Sequence, residues 1–339
     1  MSADQQTPSL SNDTLPPAGA KSAGRISIWR LLGTILSLAL LVYLIYMQWE
    51  EIIQVFASLP AIYIWAGLGL MLLSRISVGL RWYALLRSAG VKVSLWQSLR
   101  LTFMGLFASN FLPTTIGGDL VRMAGILGLR VDSGLGAASL VVDRLVGMTG
   151  MASMAPFGLA IILQPAVASS TGEVLQLSLL LALKRLPGVG WILRKTETFL
   201  RSLLSSSIYW LRHPRSLVLA LLCTFGHMLF TFLSIWLLLQ GMHQSLSIWR
   251  IGALWSLNYF ITTFLPISIN GLGLQEITVH SLYVTFGGVS VESGLALAVL
   301  MRLLPTLASL PGAFFLPEIL RLVPAMRKPA RADQEQEST

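Results

Sequence analysis

Ser94–Gly118 reads SLWQSLRLTFMGLFASNFLPTTIGG, and the pattern returns at Ser247–Gly271 as SIWRIGALWSLNYFITTFLPISING. Aligned without gaps at an offset of 153 positions, the two stretches share nine of 25 residues. Among these are Trp96/Trp249, Phe107/Phe260, the Phe-Leu-Pro triplets ending at Pro113 and Pro266, and Gly118/Gly271. Each copy is an apolar run broken by Pro, small polar residues and Gly. Proline removes a backbone donor and glycine permits angles other residues resist, so a helix is expected to stop there, inside an apolar segment. Broken helices in duplicate are a mark of transporters built from internal repeats. The expected corners are Pro113, Gly117 and Gly118 in the first copy, and Pro266, Asn270, Gly271 and Gly273 in the second.

The surrounding composition fits that reading. The chain has 339 residues, of which 54% are hydrophobic and 12% charged, with a mean hydropathy of +0.72. Several apolar runs approach the ~20 residues that cross a ~30 Å hydrocarbon core. The net charge of +9 falls between apolar runs, without an aromatic-basic recognition module. It therefore reports the cytoplasmic face and its anionic lipids, not nucleic acid. The lone Cys223 allows no intramolecular disulfide, and His213, His227, His243 and His280 are too scattered for a zinc site. No metal or cofactor is expected. No phosphate loop, nucleophile elbow, HExxH or dinucleotide fingerprint occurs, so the chain is not expected to be an enzyme.

The expected fold is an all-α polytopic membrane protein. It has six spans plus two oppositely oriented re-entrant hairpins, or eight spans if the second copy crosses twice, arranged as an inverted internal repeat. Residues 1–24 and 327–339 are polar and read as disordered tails, with no cleaved signal peptide. Residues 25–326 form the membrane domain, with repeat copies near 94–144 and 247–302. A first span near 28–47, preceded by Lys21, Arg25 and Arg30 and followed by Glu50 and Glu51, puts the N-terminus in the cytoplasm. A second, about 59–78, returns to a basic stretch carrying Arg75, Arg81, Arg87, Lys92 and Arg100. Further spans are expected at about 134–163, a short one at 174–183, then 216–240 and 294–323, the last interrupted by Pro305 and Pro311. Residues 190–214 mix basic and apolar residues and read as an amphipathic helix on the anionic inner leaflet, or as a solvated loop helix. Both termini fall on the cytoplasmic side of an inner (plasma) membrane protein. Trp29, Trp49, Trp65, Trp82, Trp96, Trp210 and Trp249 lie near span ends, as an interfacial belt would.

Ionisable residues inside apolar segments are costly and need named partners. Asp119 and Arg122 are three apart, so they face one side of a helix and can pair; Asp119 at a helix start can equally serve as a cap. Arg122 is suited to gripping a phosphate through its planar donors. Asp143 and Arg144 are neighbours that point about 100° apart, so each needs another partner. Pairing Asp143 with Arg122 and Arg144 with Asp119 would neutralise all four. Glu276 follows a glycine-rich corner that is a possible anion seat, and Arg302 in the last span is its candidate counter-ion. Both a structural ion network and a lipid pathway account for this set.

At three motifs the chain resembles the flippase-like family that includes the membrane domain of lysylphosphatidylglycerol synthase. They are Gly117-Gly118-Asp119-Leu120-Val121-Arg122, then Val142-Asp143-Arg144-Leu145, then the run from Leu265 to Glu276, with Arg81-Trp82 and Pro311-Gly312 fitting more loosely. The resemblance implies an inner-membrane protein that moves a phospholipid, or another lipid such as a polyprenyl-linked or hopanoid species, between leaflets. The synthase's soluble aminoacyl-transferring part has no counterpart here, so making lysylphosphatidylglycerol is not implied. Two departures stand out: Gln275 where relatives usually carry Arg, and Asn270 where they carry Gly. The alternatives are a membrane-embedded lipid-modifying transferase using Asp119, Asp143 and Glu276, or a partner that docks a soluble biosynthetic enzyme through residues 190–214.

Overall fold

The computed structural model describes residues 28–111, 117–129, 131–163, 214–265 and 268–315. Every regular element among them is helical. The helices are α1 (Ile28–Met47), α2 (Trp49–Ser58), α3 (Ala61–Ser88), α4 (Leu95–Phe111), α5 (Gly117–Gly128), α6 (Ser133–Leu163), α7 (Pro214–Gly241), α8 (Ile248–Phe264), α9 (Leu274–Thr285) and α10 (Val291–Ser309). Four helices are long and apolar enough to cross a membrane, those at Ala61–Ser88, Ser133–Ile162, Pro214–Gly241 and Val291–Phe315. The pair α1–α2, bent by 75°, makes a fifth if counted as one span. The expected 174–183 span, the basic segment 190–214, and Pro113 and Pro266 themselves lie outside the described residues.

The sequence repeat becomes a structural one. Helices α4 and α8 both have 17 residues, with boundaries that differ by the 153-residue offset, and α5 and α9 both have 12. In the first hairpin α5 runs back along α4. Gly118 abuts the Gly105 carbonyl and Ser109, and Gly125 abuts Leu101, so a side chain at either glycine would strike the facing helix. Gly117 and Gly118 were expected to supply unusual backbone angles; both are instead ordinary helical residues, and Gly118 supplies room. The second corner does use unusual angles, with Asn270, Gly271 and Gly273 at φ of 53°, 68° and 76°. Asn is among the few side-chain-bearing types that tolerate this region.

Packing between the two copies is reciprocal. Gly158, late in α6, sits on the Ala253 carbonyl and Leu257 of α8, while Gly312, just past α10, sits on the Phe103 carbonyl and Met104 of α4. Leu257 and Met104 are equivalent under the 153-residue offset. Each copy's long helix thus packs on the first helix of the other. Asn110 Nδ2 adds a hydrogen bond of 2.8 Å to Ser309 Oγ across the same join.

Helix α3 differs from its expected extent. It runs ten residues past Val78, because Arg75 and Arg81 are accommodated inside the bundle and do not mark a loop. It packs antiparallel to α7 along a polar seam. Ser234 Oγ donates to the Gly67 carbonyl (3.2 Å), Ser74 Oγ meets His227 Nδ1 (2.6 Å) and Thr231 Oγ1 (3.0 Å), and Arg81 reaches Thr224. Gly67, Ser74 and Arg81 are seven apart, two helical turns, so small and polar residues line one face and bring the helices close. Pro305 was expected to interrupt the final helix. It lies within α10 without breaking it, beside Thr306, whose hydroxyl donates to the Arg302 carbonyl at 2.8 Å.

Candidate functional site

The first corner holds a network of five charged side chains. Asp143, in the second quarter of α6, is 2% exposed. Its Oδ1 accepts from Arg81 Nε at 2.7 Å, and its Oδ2 accepts from both terminal nitrogens of Arg122 at 3.1 and 3.0 Å. Gly147, one turn further along α6, leaves the space that the Arg81 guanidinium fills. Arg81 Nη1 also donates to Thr224 Oγ1 at 3.4 Å. The Arg122 guanidinium lies over the Trp82 ring, 4.0 Å from its centroid, and Trp82 Nε1 donates to Ser139 Oγ at 3.3 Å. Two guanidinium groups on one carboxylate, backed by an aromatic face, make a rigid buried unit.

A second layer faces outward. Asp119 occupies the first turn of α5, where the helix dipole favours a carboxylate. It pairs with Arg144 Nε at 2.5 Å and, more distantly, with Arg122 at 3.7 Å. The Arg144 side chain is 52% exposed against 9% for Arg122. Both cross-pairings weighed from the sequence are therefore formed. Arg122 gives both terminal nitrogens to Asp143 and its face to Trp82, while its Nε is buried without a hydrogen-bond partner. Arg144 is the arginine that reaches outward.

The second corner repeats part of this plan. Glu276 stands in the first turn of α9, 3% exposed, and Arg302 Nε lies 3.4 Å from its Oε1. Arg302 also donates to the Asn270 carbonyl through both terminal nitrogens, each at 3.3 Å, and to Gln275 Oε1 at 3.4 Å. Arg144 and Arg302 are each eleven positions past the first residue of their helices, Ser133 and Val291. The pairs Asp119–Arg144 and Glu276–Arg302 are thus the same device used twice. The second lacks an inner unit: Val279 stands three residues past Glu276, where Arg122 follows Asp119, and Met301 precedes Arg302, where Asp143 precedes Arg144. At this corner the Asn270 carbonyl turns onto Arg302, and the Glu276 carboxylate faces Arg302 through Oε1 while its Oε2 is buried without a hydrogen-bond partner.

Sequence reasoning missed Arg81, Trp82, Ser139 and Thr224 as members of the site. Arg81 was absorbed into a run of basic residues read as a cytoplasmic loop, and Trp82 into the interfacial belt. Trp82 is fully buried, whereas Trp49, Trp65, Trp96 and Trp249 are well exposed. The available signal was the seven-residue spacing of Gly67, Ser74 and Arg81 on one face. Among the described residues, no three His, Cys, Asp or Glu side chains come together as metal ligands.

These features define a multi-pass helical membrane protein with charged side chains gathered at its broken helices. Residues 30–312 match the family described as the lysylphosphatidylglycerol synthase TM region, and the chain belongs to that family. No curated protein matches it.

Proposed function

We propose that this protein translocates a phosphate-bearing lipid between the leaflets of the inner membrane, with both termini in the cytoplasm. The observation that carries the reading is Arg144. It is an arginine well inside a span, half exposed, and paired with Asp119 in the first turn of a broken helix. Charges are kept at such depth for substrate or ion pathways, or for pairing in the bundle interior, and full burial would serve pairing alone. Arg144 receives the headgroup phosphate in exchange for part of its contact with Asp119. The Arg81–Asp143–Arg122 unit keeps Asp119 and α6 in place, and the acyl chains stay in the bilayer.

In this reading the two hairpins are re-entrant and enter from opposite leaflets, so that the corners near Pro113 and Pro266 meet close to the midplane. Reciprocal packing of α6 on α8 and of the α10 end on α4 supports a two-fold relation between the copies. The Glu276–Arg302 pair is then the receiving counterpart on the other leaflet. No chemical step is assigned to any residue. The test is transfer of a fluorescent phospholipid in reconstituted vesicles, followed by quenching from outside. Arg144→Ala is expected to lower the rate by about 10–150-fold, the value of one charge-assisted hydrogen bond. An unchanged rate in this variant rejects the assignment.

A further inference from the structure

Among the described residues, Arg75 is an ionisable side chain near the middle of a span that belongs to neither charge cluster. It stands fourteen positions past Ala61, the first residue of the 28-residue α3, and so near the middle of a span. It is partly exposed, and its Nε is buried without a hydrogen-bond partner. Among the described residues it has neither a hydrogen bond nor an ion pair. A guanidinium at that depth is retained where it is answered by an opposite charge or by a ligand.

The neighbouring groups do not answer it. Arg81 lies six residues further along the same helix. Asp143 already accepts from Arg81 and Arg122. His227 on α7 is within electrostatic range of Arg75, Arg81 and Asp143, and its Nδ1 is held by Ser74; it adds no negative charge. Asp119 is held more closely by Arg144 than by Arg122. Arg81 and Arg122 therefore share the buried Asp143, and Arg75 has no carboxylate partner among the described residues. The second corner carries one arginine for one carboxylate. The positive excess belongs to the first corner and to α3.

We infer that Arg75 is a deep anion seat, and that it makes the pathway select lipid headgroups of net negative charge, phosphate monoesters above all. The inference rests on the translocation reading above. A zwitterionic or net-cationic headgroup would leave the excess charge uncompensated, whereas a phosphate monoester brings about −1.5 to −2 at neutral pH. The planar donors of arginine suit its oxygens. Arg144 takes the phosphate at the edge of the bundle, and Arg75 draws it toward the midplane.

The experiment measures binding of phosphatidic acid, phosphatidylcholine and an aminoacylated phosphatidylglycerol to the purified full chain in lipid nanodiscs, with inorganic phosphate as competitor. Phosphatidic acid is expected to bind at least about tenfold more tightly than the other two lipids, and equimolar inorganic phosphate is expected not to displace it. Arg75→Gln should reduce the preference to less than about twofold, while Arg75→Lys, which keeps the charge, should retain most of it. Equal binding of all three lipids by the unaltered protein overturns the inference, whatever the variants do. So does a preference that survives Arg75→Gln in protein with an unchanged unfolding midpoint, and displacement by inorganic phosphate overturns the lipid assignment. Leaflet transfer of phosphatidylcholine, measured in parallel, separates the two proposals. Rapid transfer without headgroup preference defeats only the Arg75 inference, and anion-selective binding without transfer defeats only the translocation reading.

Discussion

Asp143 and Arg144 are adjacent in the chain and opposite in role. Asp143 points inward and neutralises two arginines. Removing its charge leaves Arg81 buried with no counter-ion and Arg122 with only the more distant Asp119, a costly situation in an ion network. Asp143→Asn is expected to destabilise the protein by about 3–5 kcal/mol, read as a fall in the unfolding midpoint in detergent. Arg144→Ala should shift that midpoint far less while impairing transfer. A reversed order, with Arg144→Ala the more damaging to folding, would contradict the division between an inner structural unit and an outer headgroup contact. The cross-pairs were legible from sequence because neighbouring residues on a helix diverge by about 100°, which sends each to a different partner. Arg81 was not legible. A cation in a basic run looks the same whether the helix has ended or continues, and only the packing of α7 against α3 decides.

At the level of elements, glycine positions separate tight crossings from open surface. Gly118 lies against the Gly105 carbonyl and Ser109, while a side chain at Gly69 in α3 would meet nothing within 4 Å. Gly118→Ala is expected to cost about 1–3 kcal/mol by forcing α4 and α5 apart. Gly69→Ala should be neutral or stabilise by up to about 1 kcal/mol, since it removes the entropic penalty of glycine in a helix. Unfolding midpoints of the two variants check both expectations. Trp82→Ala should likewise weaken the bundle by about 3–5 kcal/mol, through lost burial and a lost platform for Arg122; a change as small as that of an exposed Trp65→Ala would contradict this. The sequence repeat set α4 and α8 to the same length and register, so these elements could be read in advance. The path of α10 through Pro305 could not, because the proline's cost depends on neighbours that stabilise the surrounding turns.

Across the whole molecule, the long helix of each copy packs on the first helix of the other, and among the described residues the carboxylate shared by two arginines belongs to the first copy. The family assignment over residues 30–312 covers both copies. Composition and spacing made the membrane class and the duplicated corner evident. They did not reveal that α3, outside the repeat, contributes Arg81 and Trp82 to the first corner, whereas Val279 and Met301 stand in the second copy where Arg122 and Asp143 stand in the first. The most direct measurement of the account is sidedness. Lys92 and Ser245 are exposed, precede α4 and α8, and are equivalent under the 153-residue offset. In a Cys223→Ser background, Lys92→Cys should react with a membrane-impermeant thiol reagent only from the cytoplasmic side, and Ser245→Cys only from the opposite side. Labelling of both positions from the same side would contradict it.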